Sequence, residues 1–186
     1  MKNSIPILVI LSCLLTIYFL TANHNKYTEI FYKERQHFVD LVDLGKGQQD
    51  LVSVNSSREL VSRWPLDFPV FRICTGDVND DHSVDILVGV SKPTRYDPVI
   101  RKRLFIFKLV DGRIRPLWLG SQVAQPLVDF RFVQTANAAF IRTIEAERNG
   151  YCLVSEYKWK GFGLEWVRYL GRNLSPVNAY NQLNIQ

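Results

Sequence analysis

Ten short apolar runs, separated by turn-forming residues, follow one another along the chain after residue 50. Phe, Tyr, Trp, Val and Ile dominate these runs, and 11 Phe, 8 Tyr and 4 Trp in 186 residues are many for a helical protein. Branched and aromatic side chains fit a pleated, half-buried surface better than a helix face. The spacing therefore predicts antiparallel strands at residues 51–54, 59–62, 70–75, 86–90, 104–110, 114–119, 130–133, 140–144, 151–159 and 164–170.

A weak internal repeat suggests how these strands are grouped. Residues 104–112 and the strand end LWLG at 117–120 parallel residues 153–161 and the strand end RYLG at 168–171. A period of about fifty residues indicates stacked four-stranded units, like the blades of a propeller. Residues 49–186 hold only about three such units, whereas closed propellers have at least about 4 blades. We expect an all-β domain over residues 49–186, either a partial β-propeller or a compact sandwich of blade-like antiparallel sheets.

The first 22 residues predict an export or anchor segment, with an apolar helix ahead of the β domain. Residues 5–20 carry no charge, and such a length lies between a signal-peptide core and a membrane span of about 20 residues. A cleaved signal peptide, an uncleaved signal anchor and lipidation at Cys13 all remain open. In each case Lys2 favours a cytoplasmic amino terminus, so we expect an extracytoplasmic domain that is membrane-anchored or secreted.

Residues 23–48 are predicted to be a linker or a short helix. Tyr27, Ile30, Phe31, Phe38 and Leu41 follow loosely helical intervals before a glycine stops the pattern.

The charge balance narrows the choice of partners. The formal net charge is +5, a mild excess without the clustered basic stripe that nucleic-acid binding requires. We expect no nucleic-acid partner and leave open an anionic glycan or a protein ligand. The most basic stretch, residues 92–103, is predicted to be a solvated loop or to pair its arginines with nearby aspartates.

Two features of the predicted core concern cysteine and tryptophan. Cys74 and Cys152 could form a disulfide in an oxidising compartment or remain buried free thiols. The four tryptophans at positions 64, 118, 159 and 166 are expected to pack between sheets, with Trp118 and Tyr169 in equivalent packing positions.

The clearest candidate site is the segment DVNDDHSVD at residues 77–85, named the acidic loop below. Its oxygen-bearing side chains stand at relative positions 1, 3, 5 and 9, and Ca²⁺ binds 6–8 oxygen ligands in proteins. We expect one calcium ion, held by the side chains of Asp77, Asn79, Asp81 and Asp85 and by the backbone carbonyl of Ser83. The alternative is a metal-free turn rich in Asp and Asn.

An EF-hand is excluded, because its twelfth position would fall on Val88 and because strand-like runs flank the loop. The segment GDVNDD at residues 76–81, followed by DILVG at residues 85–89, resembles the calcium loop of FG-GAP and VCBS-type repeats of integrin-like β-propellers. This resemblance covers about residues 70–120, with a degenerate second repeat over residues 130–171. It implies calcium at the acidic loop and a structural or adhesive role.

One departure from that family pattern is His82, which stands where the family has glycine. The resemblance implies a left-handed backbone at this position, which histidine tolerates less well than glycine. The second repeat carries no aspartate in the corresponding stretch, so we expect no second cation there.

No nucleophile–base motif or phosphate-binding glycine loop is present in the sequence, and we expect a protein that is not an enzyme. The rival hypothesis is a cell-envelope hydrolase in which carboxylates such as Asp97, Asp129 or Glu145 meet in a cleft.

Overall fold

The computed structural model describes residues 28–32, 35–93, 97–120 and 123–185. These residues form twelve strands and one helix in the order β1 (Thr28–Tyr32), β2 (Arg35–Gly45), β3 (Gln48–Val54), β4 (Leu60–Pro65), β5 (Val70–Gly76), β6 (Asp85–Lys92), β7 (Arg101–Val110), β8 (Arg113–Leu119), β9 (Leu127–Gln134), β10 (Ala139–Ala146), β11 (Cys152–Lys160), β12 (Gly163–Leu174) and α1 (Pro176–Leu183). The segment predicted as a leader with an apolar helix, including Cys13, lies outside the described residues. Within the described part of the chain, no helix has the length and apolar character needed to span a bilayer.

The strands form three open sheets of four, and every neighbouring pair is antiparallel. Sheet A contains β1–β4, sheet B contains β5–β8 and sheet C contains β9–β12, each in chain order. The ten strands predicted from the sequence all fall on β3–β12. The prediction of antiparallel sheets is therefore confirmed.

The expected linker or short helix over residues 23–48 is wrong for its described part, because β1 and β2 occupy residues 28–32 and 35–45. The alternation of the side chains explains the difference. Val39 and Leu41 pack into the layer between sheets A and B, whereas Phe38 and Asp40 take the intervening positions in β2. A period of two places side chains on opposite faces of a strand.

Sheet B is covered on both faces, which explains the uninterrupted apolar run in β6. Ile86, Val88 and Val90 join the layer against sheet A, whereas Leu87 joins the layer against sheet C. All four side chains have 0% exposure. Because burying one such side chain contributes roughly 1.5–3 kcal/mol, these two layers hold the three sheets in series.

Helix α1 covers the outer face of sheet C. The Ser175 hydroxyl accepts a hydrogen bond from the Asn178 backbone, and a proline follows the cap at the first helical position. Ala179 and Leu183 then pack against Ile144 and Val154 of sheet C. The sequence prediction did not include this helix.

A buried ion network fastens the helix to sheet C. The Arg142 guanidinium donates to the backbone carbonyls of Gln182 and Leu183 at the end of the helix and to the carboxylate of Glu156. Glu156 also pairs with Arg168 at 2.7 Å. Burial alone would raise the pKa of Glu156, but the bonds from the two arginines lower it overall. The carboxylate therefore stays ionised inside the protein.

The structure distinguishes between the two predicted states of Cys74 and Cys152, a disulfide or two free thiols. Cys74 and Cys152 are free thiols in separate apolar layers. Burial raises the pKa of Cys74 to about 11, so the thiol stays protonated.

Candidate metal centre

The acidic loop connects the first two strands of sheet B and is curled by its own carboxylates. The carboxylate of Asp77 accepts hydrogen bonds from the backbone N–H groups of Asp81 at 3.1 Å and His82 at 2.8 Å. The carboxylate of Asp81 in turn accepts bonds from the Ser83 backbone at 2.9 Å and the Asn79 side-chain amide at 3.0 Å. These bonds curl the loop around the side chains of Asp77 and Asp81.

The backbone of the loop turns through two left-handed residues. Asp80 has a φ of 59° and His82 a φ of 61°. The left-handed geometry expected at His82 is confirmed. Aspartate and histidine take this conformation more often than most non-glycine residues, although only glycine takes it without steric cost.

Two oxygens of the loop lack hydrogen-bond donors, and both belong to predicted ligands. Asp85 is fully buried, and its Oδ2 accepts from the backbone N–H of Val78 at 2.9 Å. Among the described residues, no donor reaches the buried Oδ1 of Asp85 or the buried Oδ1 of Asn79. A buried oxygen without a partner costs about 1–3 kcal/mol, so each such atom calls for a donor or a cation.

The raised pKa of Asp85 also indicates that the loop would accommodate a cation. Burial, followed by the negative charges of Asp81 and Asp77, raises the pKa of Asp85 to about 7, although the Val78 N–H and Lys108 oppose the shift. The negative charges of Asp77 and Asp81 therefore add to burial in disfavouring the ionised form of Asp85. A divalent cation would remove that repulsion.

Among the described residues, one group of three His, Cys, Asp or Glu side chains lies close enough together to hold an ion: a ligand atom from each of Asp77, Asp80 and His82 lies within 4.8 Å of the others. The predicted carboxylates of Asp77, Asp81 and Asp85 do not meet this distance as a set. Asp77 belongs to both groups. The all-oxygen group suits calcium better, because Ca²⁺ is a hard cation and an imidazole nitrogen suits transition metals.

Sheet C supports both strands that flank the loop. A Cβ atom on Gly76, directly before the loop, would lie 2.1 Å from the ring of Phe132 in β9. A Cβ atom on Gly89 in β6 would lie 2.6 Å from Phe71 and 2.8 Å from Phe130. The two glycines quoted for the family resemblance therefore permit close packing of aromatic rings against β5 and β6.

The three carboxylates of the rival hydrolase hypothesis have separate partners. Asp97 pairs with Arg103 at 2.8 Å and with Arg101 at 3.1 Å, which also confirms the predicted pairing of basic residues in that stretch. Asp129 forms a bidentate pair with Arg72. The carboxylate of Glu145 accepts from the Tyr157 hydroxyl at 2.9 Å and the Gln125 backbone at 2.7 Å.

The packing predicted for tryptophan is wrong at the edge of sheet C. Trp64, Trp118 and Trp159 pack against the apolar layers, but Trp166 is 45% exposed and Tyr169 is 43% exposed. Both lie on β12, the edge strand of sheet C, which no further sheet covers in the described structure. Equivalent sequence positions thus differ in burial because their sheets have different neighbours.

Comparisons of the chain with protein-family models, curated proteins and solved structures found no match. The resemblance to FG-GAP and VCBS-type repeats therefore stays a prediction from residues 70–120.

Proposed function

We propose that this protein is an extracytoplasmic calcium-binding β-repeat module with a binding or structural accessory role. The observation that carries the proposal is the pair of donor-free buried oxygens, Asn79 Oδ1 and Asp85 Oδ1, in a loop whose other carboxylates, Asp77 and Asp81, act on the charge of Asp85. A metal-free turn would leave both oxygens without compensation, whereas a calcium ion would use them as ligands.

Calcium would be held by the side-chain oxygens of Asp77, Asn79, Asp81 and Asp85 and by the backbone carbonyl of Ser83. The ion would cancel the mutual repulsion of the carboxylates and fix the connection between β5 and β6. Because Phe132 packs against Gly76 at the entrance of the loop, this stabilisation would extend to the contact between sheets B and C.

Three consecutive four-stranded antiparallel sheets support a blade-like repeat architecture of the FG-GAP or VCBS type, here as an open series of blades. The extracytoplasmic location, membrane-anchored or secreted, rests on the uncharged stretch at residues 5–20. The hydrolase alternative has less support, because Asp97, Asp129 and Glu145 are each engaged by different partners.

Calcium titration with thermal unfolding tests the proposal. For an extracellular-type site with a Kd of about 10⁻⁴–10⁻³ M, calcium at about 1 mM should stabilise the protein by roughly 0.4–1.4 kcal/mol and raise Tm by a few degrees. Asp85→Asn retains the shape of the side chain but removes its charge, and should abolish the calcium-dependent shift. Sodium chloride at matched ionic strength serves as the control for screening.

Asp67→Asn is the matched control variant, since Asp67 is exposed, lies outside the loop and has a left-handed φ of 57°. It should keep the full calcium shift. If the Tm of the wild-type protein does not change with calcium, the metal-free turn is the remaining interpretation of the loop.

Two further variants distinguish the two donor groups. Asp81→Asn should weaken calcium binding strongly if the all-oxygen group holds the ion, whereas Asp80→Asn should have little effect. The opposite order of effects would assign the ion to Asp77, Asp80 and His82.

A further inference from the structure

A polar cleft of about 370 Å³ lies at one end of sheet C, on a different sheet from the acidic loop. Its walls come from the turn between β10 and β11, from the end of β12 and from Gln125 in the segment before β9. The hydrolase hypothesis does not use this cleft, and neither does the proposed calcium site.

The walls of the cleft are fixed by hydrogen bonds within the protein. The carboxylate of Glu147 accepts from Arg172 at 2.8 Å and from the backbone N–H of Asn173 at 2.8 Å. The side-chain amide of Asn149 donates to the Asn173 side chain at 2.9 Å. A ligand would therefore meet a largely preformed surface, which lowers the entropic cost of binding.

A buried carboxylate fixes the segment that carries Gln125. Glu145 has 0% exposure and accepts the backbone N–H of Gln125 at 2.7 Å. Its other oxygen accepts the hydroxyls of Thr143 at 2.7 Å and Tyr157 at 2.9 Å. The only group of Gln125 used in this network is the backbone, so its side-chain amide remains available to a ligand.

Several polar groups of the cleft have no hydrogen bond to any described residue. They are the guanidinium of Arg148, the side-chain amide of Gln125, the amide nitrogen of Asn173 and the hydroxyl of Tyr169. The charge of Arg172 is balanced by Glu147, so Arg148 gives the cleft one uncompensated positive charge. Planar amides and a guanidinium are suited to hydroxyl and carboxylate oxygens.

An exposed aromatic strip continues from the cleft along β12. The ring of Tyr169 lies under the guanidinium of Arg172 at 5.1 Å and contacts the ring of Trp166, with 4.9 Å between ring centroids. Aromatic rings with one wet side pack well against the C–H faces of sugar rings, because they combine apolar area with a polar edge.

We propose that this cleft binds an acidic saccharide. Arg148 receives the carboxylate of a uronic acid unit, the amides of Gln125 and Asn173 receive its hydroxyls, and the next sugar unit packs on Tyr169 and Trp166. The inference names a ligand class for the binding role proposed above and rests on that role. A neutral cleft would select neutral saccharides, whereas the unpaired charge of Arg148 selects acidic ones.

The test measures binding of a hyaluronan tetrasaccharide, which contains glucuronic acid, against chitotetraose, which is neutral. Calorimetry on the full chain in millimolar calcium gives affinities, and the indole N–H signal of Trp166, assigned with Trp166→Phe, reports contact by NMR. We expect the acidic tetrasaccharide to bind about tenfold more tightly than the neutral one, the size of one charge-assisted hydrogen bond.

Arg148→Gln should reduce that preference to near unity and should leave the fold intact, because Arg148 is exposed in a turn. Tyr169→Leu should weaken both saccharides. The matched control is Arg115→Gln, an exposed arginine on sheet B, which should leave both affinities unchanged.

Equal affinity for the two saccharides, absence of binding, or an Arg148→Gln protein that keeps the preference would each overturn the assignment. The outcome is separable from the calcium proposal, because the cleft and the acidic loop are on different sheets. Saccharide binding without a calcium shift removes the calcium site alone, and a calcium shift without saccharide binding removes this inference alone.

Discussion

Sheets B and C make the same connection, from first strand to second, in two different ways. Sheet C uses a neutral turn at residues 135–138, in which Thr135 bonds to both backbone groups of Ala138 through its own backbone and hydroxyl. Sheet B uses the acidic loop, whose internal bonds leave Asn79 Oδ1 and Asp85 Oδ1 without donors. The turn of sheet C satisfies its own polar groups, whereas the acidic loop retains two buried oxygens that the proposed cation would satisfy.

The largest effect that tests this contrast is the pH dependence of the metal-free protein. The folded pKa of Asp85 is about 7, above its ordinary value of 3.8, so the folded state binds a proton that the unfolded state releases. The contribution of Asp85 to stability is therefore fully present below about pH 4 and is lost as pH rises through 7.

In a chelator, wild type and Asp85→Asn should be similarly stable near pH 4, and the variant should be more stable by about 4 kcal/mol near pH 8. Urea unfolding at several pH values measures this gap. A gap that does not change with pH would show that the loop tolerates the charge without a cation. The neutral turn of sheet C should contribute no such dependence.

The next effect concerns the support that sheet C gives to the acidic loop. Gly76→Ala should destabilise the protein by about 1–3 kcal/mol, because the new methyl group overlaps the ring of Phe132. Gly163→Ala is the control, since its Cβ would meet nothing closer than 3.6 Å. Chemical unfolding measures the stability of both variants. Equal stability of the two would mean that the Phe132 ring moves aside for the new methyl group.

Relief of the left-handed backbone should give a smaller gain. His82→Gly should stabilise the metal-free protein by about 1 kcal/mol and should strengthen calcium binding, because glycine takes a positive φ without steric cost. Ser83→Gly, at a residue without a left-handed φ, should give no such gain. Weaker calcium binding by His82→Gly would instead identify the imidazole as a ligand.

The smallest effect belongs to the neutral turn. Thr135→Val removes the hydroxyl that bonds to Ala138 and should cost about 0.5 kcal/mol, since the freed groups are exposed to water. The loss, measured by thermal unfolding, should be the same with and without calcium. A calcium-dependent loss would contradict the independence of the two connections.

The sequence predicted strands well where both faces of a sheet are covered, because continuous apolar runs such as residues 86–90 have few other solutions. It failed at β2, where apolar residues at positions 38, 39, 41 and 42 fit both a helical and an alternating period. Helix α1 has a start signal in the sequence, namely Ser175 followed directly by a proline.

The candidate metal centre was only partly predictable. Oxygen spacing located the loop, and the family resemblance predicted the left-handed backbone at His82, whereas the left-handed backbone at Asp80 was not predicted. The donor-free oxygens of Asn79 and Asp85 could not be predicted, because they depend on which backbone N–H groups the folded loop directs inward. The exposure of Trp166 could not be predicted either, since it depends on the absence of a neighbouring sheet beside β12 in the described structure.

Helix α1 decides at which end the series of sheets could be extended. Its side chains pack on the face of sheet C where another blade would dock. Arg142 holds the helix there by donating a hydrogen bond to the Leu183 carbonyl. Any additional blade on that side would first have to displace the helix and expose Ile144 and Val154 to water. Growth of the assembly by face-to-face stacking is therefore blocked at this end by the chain itself.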